Sequence, residues 1–107
     1  MIDLGQRLAD RQAGSNHEPI AVVMVRLGLP LNLSDAVLTF NMRAADGGAL
    51  VVDNGSAVGG ANGVAQYAPT IAEVSGVGIY QCQFTATYPD STVHRTPVLE
   101  MRVLPNV

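Results

Sequence analysis

Residues 76–90 read GVGIYQCQFTATYPD, and their pattern decides the fold class. Glycines at 76 and 78 interrupt whatever precedes them, and Pro89-Asp90 closes the run. From Tyr80 onward the alternation is strict. Tyr80, Cys82, Phe84, Ala86 and Tyr88 fall on one face, and Gln81, Gln83, Thr85 and Thr87 fall on the other. A period of two in aromatic and β-branched residues is the pattern of a half-buried β-strand. Tyr80 and Cys82 therefore read as core, and Gln81, Gln83 and Thr85 as an outward face open to a partner if this sheet docks on one.

Working outward, Tyr88-Pro89-Asp90-Ser91 reads as a hairpin turn, with proline where its fixed φ suits the turn. Beyond Pro97 the run VLEMRVL alternates again, with Leu99, Met101 and Val103 inward. Upstream, residues 36–43 (AVLTFNMR) give a second alternating strand, with Ala36, Leu38, Phe40 and Met42 on one face. Asp46-Gly47-Gly48 predicts a hairpin into residues 49–53, and Asn54-Gly55 repeats the turn signal. The glycine-rich stretch 56–62 predicts one short edge strand and a loop, and residues 63–68 a short strand closed by Pro69. Residues 70–75 fit a helical turn or an irregular crossover equally. The apolar run IAVVMVRL at 20–27 reads as a strand covered on both sides or one with a weakly polar outer face, ending at a Gly28–Pro30 turn. About seven short strands at this spacing predict an all-β antiparallel sandwich. Connections long enough for βαβ crossovers are missing, which argues against a parallel sheet.

Residues 1–13 are the one candidate helix, with Asp3 and Gln6 placed as a cap and Leu4 and Leu8 sharing a face. Gly5 and the thin apolar stripe make it marginal alone. The domain reading is an N-terminal arm and linker over residues 1–16 and a sandwich over 17–107. The arm offers Ile2, Leu4, Arg7, Leu8 and Arg11 as partner-binding residues.

The 107 residues carry a net charge of −3, with six arginines as their only basic residues apart from two histidines. Such a chain lacks the basic stripe that phosphate neutralisation or an anionic membrane surface requires. No apolar run approaches a membrane span, and Asp3 stands where a secretory signal carries positive charge, so synthesis in the cytoplasm is expected. The single cysteine, Cys82, rules out an intrachain disulfide.

Candidate chemistry is sparse. His17 and His94 read as solvent-facing loop residues, and no zinc-ligand spacing is present. Asp46, Asp53 and Asp90 sit beside turn residues, where a carboxylate bonds nearby backbone. Cys82 reads as a packed, inert thiol. The glycines at 55, 59, 60 and 63 lack the lysine and helix of a phosphate loop. No catalytic, cofactor or metal residues are expected.

Tyr80-Gln81-Cys82 resembles the immunoglobulin corner, in which a tyrosine precedes the second disulfide cysteine by two residues. The first cysteine and the tryptophan are missing, so the expected architecture is Ig-like without the disulfide. Over residues 20–104 the chain resembles phage proteins related to the N-terminal domain of the upper baseplate protein family. The motifs are the turn and polar corner GLPLNLSDA at 28–36, the strand 37–43, a G-x-x-x-Y strand at 63–67 and a G-x-Y-x-x-x-F strand with its hairpin at 78–90. Ser91 stands where the hairpin glycine is usual, a departure expected to alter the turn type slightly. These are turn and core residues, which speak to fold more than to site. The resemblance implies a non-enzymatic virion structural protein that docks on a major capsid, tail or baseplate protein. At this length a capsid decoration, cement or adaptor subunit is favoured over a tail or baseplate component. A symmetric trimer and a monomer on a larger lattice both fit. An Ig-like module binding host carbohydrate or protein is the alternative from another class.

Overall fold

The computed structural model describes residue 8 and residues 11–15, 18–45, 47–48 and 50–105. In chain order the strands are β1 (Arg11–Gln12), β2 (Ile20–Val23), β3 (Val25–Arg26), β4 (Leu29–Pro30), β5 (Val37–Ala44), β6 (Leu50–Gly59), β7 (Val64–Tyr67), β8 (Gly78–Thr87), β9 (Val93–Arg95) and β10 (Leu99–Leu104). A single 3₁₀ turn at Ala72–Val74 resolves the ambiguous 70–75 segment as helical. Among the described residues, seven strands are longer than two residues, the number expected, but β6 joins the separate strands expected at 49–53 and within 56–62, and β9 lies where a loop was expected.

Strand β8 is the centre. It pairs antiparallel with β5 from Val37↔Thr87 to Ala44↔Tyr80, while its other edge takes β10 along residues 78–82 and β9 along 85–87. Beyond β5 the sheet curls through β6, which pairs with β5 up to Ala57 and then passes Val58 and Gly59 to β7. β2 pairs with β7 and ends the path. The result is an all-β, sandwich-like fold in which one strand order, β1-β10-β8-β5-β6-β7-β2, supplies both layers.

The inward faces meet as the alternation requires. Phe40 stacks on Tyr67 of the opposite layer with ring centroids 4.6 Å apart, and Phe84 stands 4.8 Å from Phe40 on the neighbouring strand. Met42, Cys82, Leu99, Met101 and Val103 surround them, all buried. Each such side chain contributes about 1.5–3 kcal/mol of burial. The Tyr80 hydroxyl donates to the Gly76 carbonyl at 2.7 Å, fixing the entry to β8 as a tyrosine corner does. On the second layer β2 alternates, with Ile20 and Val22 buried and Ala21 and Val23 exposed, so the apolar run at 20–27 has an open and weakly polar outer face.

Two expectations are corrected. The helix read over 1–13 is extended chain where described: β1 runs parallel to β10, with Arg11↔Val103 and Gln12↔Leu104, and the Leu8 N–H donates to the Glu100 carbonyl at 2.8 Å. Leu8 is part of the core, and Ala13 and Gly14 bond Leu104 and Val74, so the described part of the arm is packed onto the body. A thin leucine stripe cannot hold a helix in water, whereas the β10 edge offers ready backbone partners. The parallel pair needs no crossover because its strands come from opposite ends of the chain. The rest of the arm, including Ile2, Leu4 and Arg7, lies outside the described residues.

Second, Asn54-Gly55 is a bulge within β6 and not a turn. Phe40 faces Gly55 and Met42 faces Val52, so one extra residue of β6 is accommodated there. Asn54 takes φ 53°, and its N–H donates to the Asn41 side-chain oxygen at 2.7 Å. A Cβ at Gly55 would stand 2.6 Å from the Tyr67 ring, so the glycine makes room for the stacked aromatics. At the β8–β9 hairpin, Ser91 takes the positive φ, 72°, that suits glycine, and the hairpin closes through Tyr88 N–H to the Thr92 carbonyl.

Candidate docking surfaces

The strand pairing brings Gln81, Gln83 and Thr85 together on the outer face of β8, opposite Arg43, Asn41 and Thr39 of β5. All three are half-buried and sit in a flat ladder of mostly uncharged hydrogen-bonding groups. Gln83 is already engaged, its amide donating to the Thr96 carbonyl at 2.8 Å, while the Thr96 hydroxyl accepts from Phe84 N–H at 3.1 Å. That pair bridges the break between β9 and β10, so Gln83 is structural as well as outward. A depression of about 200 Å³ on this face is lined by Asn41, Arg43, Leu50, Gln81, Gln83 and Val98.

From the arm, Leu8 is buried and cannot present a docking surface. The Arg11 guanidinium donates to the carbonyls of Ser15 and Glu18 at 3.0 and 3.2 Å, which ties β1 to the chain entering β2. Burial lowers its pKa, with Glu18 opposing the shift.

The sequence reading missed a second surface. β3 and β4 form a separate two-stranded ribbon, with Val25↔Pro30 and Arg26↔Leu29. Its two-residue loop is Leu27-Gly28, at φ 54° and 81°, and positive φ at both positions is what a type I′ turn requires. Leucine is an unusual occupant, since the left-handed region costs an L-residue with a Cβ about 1–2 kcal/mol. Leu27 is 92% exposed, with Leu29 at 69% and Val25 at 57%. The ribbon is anchored at its base, where Met24 N–H donates to the Gly63 carbonyl at 2.7 Å and Leu31 N–H to the Met24 carbonyl at 2.9 Å. Gly63, at φ 84°, permits this approach, because a Cβ there would lie 2.8 Å from the Met24 carbonyl oxygen. Gly28 and Pro30 announce the turn in the sequence, but only the pairing shows that the flanking apolar residues project.

The third feature is the open side of the sandwich, between β2 and the β9–β10 edge. One cavity of about 230 Å³ lies beside Leu8, Arg11, Ile20 and Met101, and another of about 220 Å³ lies between residues 22–26 and 94–97. His94, expected in a loop, belongs to β9 and meets the Tyr88 ring edge-on at 5.7 Å. Hydrogen bonds from Thr92 hold the Asp90 carboxyl below the usual range, as its turn position suggests. His17 and Asp46 lie outside the described residues.

Cys82 is buried, and desolvation pushes its thiol up from 9.0 to about 12. Tyr67 is likewise pushed up from 10.0 to about 12, by burial first and then by the Glu73 carboxylate that accepts its hydroxyl at 2.8 Å. Both groups are held neutral in the folded chain and ionise more readily in the unfolded one. Their contribution is fully present below pH 9 and is lost as the pH rises towards 12. Thermal melts are expected to fall progressively over this window, and Cys82→Ala should flatten the fall; an unchanged alkaline slope in that variant would contradict the assignment.

Among the described residues, no group of three or more His, Cys, Asp and Glu side chains is placed to hold a metal ion. No helix among them is long and apolar enough to cross a membrane. Compared with known proteins, the sequence matches no protein-family model and no curated protein.

Proposed function

We propose that this chain is a structural subunit of a phage particle that works by docking onto neighbouring virion proteins, as a capsid decoration, cement or adaptor piece. The observation that carries docking is the β3–β4 ribbon, which holds a leucine in a left-handed conformation at an exposed tip between two further exposed apolar residues. Strained and solvent-exposed apolar residues reduce the stability and solubility of a free monomer, and a contact surface gives them a use. The flat polar face around Gln81 and Thr85 and the open seam supply further contact area. The particle context rests on the resemblance of the turn and core motifs at 28–36, 63–67 and 78–90 to the phage upper baseplate protein family.

A tail or baseplate position is the second form of the same reading. The carbohydrate-binding alternative is less well supported, because it calls for exposed rings. Tyr67 and Tyr80 are buried, Tyr88 is half-buried, and all three hydroxyls are bonded within the chain. Separation of purified particles into heads and tails tests the proposal. The chain is expected in the head fraction; tail enrichment selects the baseplate form, and absence from both fractions overturns the reading.

A further inference from the structure

The open side of the sandwich runs between two strand edges, and the described residues close only half of it. At one end Leu8 enters the core, its N–H bonds Glu100, and β1 continues beside β10 in parallel register. At the other end no described strand fills the gap. The cavity of about 220 Å³ there touches residues 22–26 on one side and 94–97 on the other, with Leu31 and Leu99 between.

Successive strand residues point to opposite faces, so a cavity lined by several in a row meets the strand at its edge. The wall at 22–26 takes in the end of β2, Met24 and β3, and the wall at 94–97 the end of β9 with Thr96 and Pro97, so strand edges with backbone N–H and C=O groups form part of both. β9 is paired through β8 alone and β2 through β7 alone, so each has an edge without a strand partner among the described residues. Arg26, His94 and Arg95 stand at this cavity and no acidic side chain lines it, although Asp35 and Asp90 line the adjoining depression that shares Arg26, Leu31 and His94 with it, which leaves Arg95 as the cation facing this cavity alone. The lining is otherwise apolar, chiefly valine, methionine, leucine and proline.

We propose that this open half of the seam takes an extended segment of a partner polypeptide, added as a strand along the β9 edge in line with β1. Its apolar side chains enter the cavity between Met24, Leu31 and Leu99, and an adjacent carboxylate faces Arg26 and Arg95. In strand addition the main chain supplies much of the affinity and the alternate side chains supply selection, which matches an apolar slot with a cationic rim. The inference rests on the docking reading of the chain and gives the chemistry of one partner.

The test is titration of the full chain with a capped seven-residue peptide of alternating valine and glutamate, its valine–lysine counterpart, a capped peptide of this chain's residues 1–7, and dodecanoate. The valine–glutamate peptide is expected to bind about tenfold or more tightly than the lysine form. Bound, it should protect the amides of residues 93–95 from hydrogen exchange. Arg95→Glu, at an exposed position, should reverse the preference while leaving the circular-dichroism melt unchanged; Arg26→Glu provides the same readout if that variant folds poorly. Equal affinity for both peptides, binding without protection at 93–95, or tighter binding of dodecanoate overturns the proposal. Tighter binding of the 1–7 peptide also overturns it, by assigning the slot to this chain's own terminus or that of a second copy. Particle fractionation does not enter this assay, so either result can fail while the other stands.

Discussion

Replacing Phe40 by alanine is expected to remove about 3–5 kcal/mol of the chain's folding stability. Phe40 is fully buried and joins the layers, stacked on Tyr67 at 4.6 Å and beside Phe84 at 4.8 Å. Truncating a buried phenylalanine costs about 3–5 kcal/mol through lost burial and the cavity left behind. A domain of this kind has about 5–15 kcal/mol in total, so one substitution removes a large part of it. The effect should exceed that of any single aliphatic truncation, because the Tyr67 ring loses its stacking partner and the glycine-made space at Gly55 cannot collapse to fill the void. Urea melts followed by circular dichroism measure this directly. A loss below about 1 kcal/mol would mean that the two layers do not meet through this ring.

The second large effect is one of function without loss of stability. Leu27→Asn replaces a leucine at φ 54° with a residue that tolerates this conformation, so the melt should stay level or rise by about 1 kcal/mol. The same change removes the apolar tip of the ribbon. If the tip seats in a partner, binding should fall by at least tenfold, as expected for a buried contact residue worth about 2 kcal/mol. Most substitutions at contact positions are neutral or harmful to folding, so a variant more stable and less competent would separate docking from structure. Reduced stability in Leu27→Asn would instead show that the leucine packs within its own chain.

Much of the fold is legible in the sequence because burial imposes a period of two on long strands. The alternation at 80–88, 36–43 and 99–103 reappears as the buried faces of β8, β5 and β10, and the Tyr80 corner forms its bond to Gly76. What is not legible depends on partners distant in the chain. Asn54-Gly55 carries a turn signal, but the β5 ladder continues past it and absorbs the extra residue as a bulge. Leu8 gives a helix signal at local range, yet the edge of β10 takes it as extended chain.

The surfaces follow the same division. Gln81, Gln83 and Thr85 share a face by periodicity alone, and the structure places them there. That Gln83 also spans to Thr96 depends on a contact thirteen residues away. The projecting ribbon was hidden because its residues are apolar, and an apolar run in a sequence reads as core. Gly28 and Pro30 mark a turn locally, but the Leu27-Gly28 pair lacks the asparagine or aspartate that usually announces a type I′ turn.

Quantifying this chain in gradient-purified particles, for the wild type and for Leu27→Asn, is the most direct measurement of docking through the ribbon. The expected result is wild-type chain in the head fraction and at least tenfold less of the variant, with an equal or higher melting temperature for the variant in solution. Wild-type chain missing from heads and tails alike, or Leu27→Asn incorporated at the wild-type level, would contradict it.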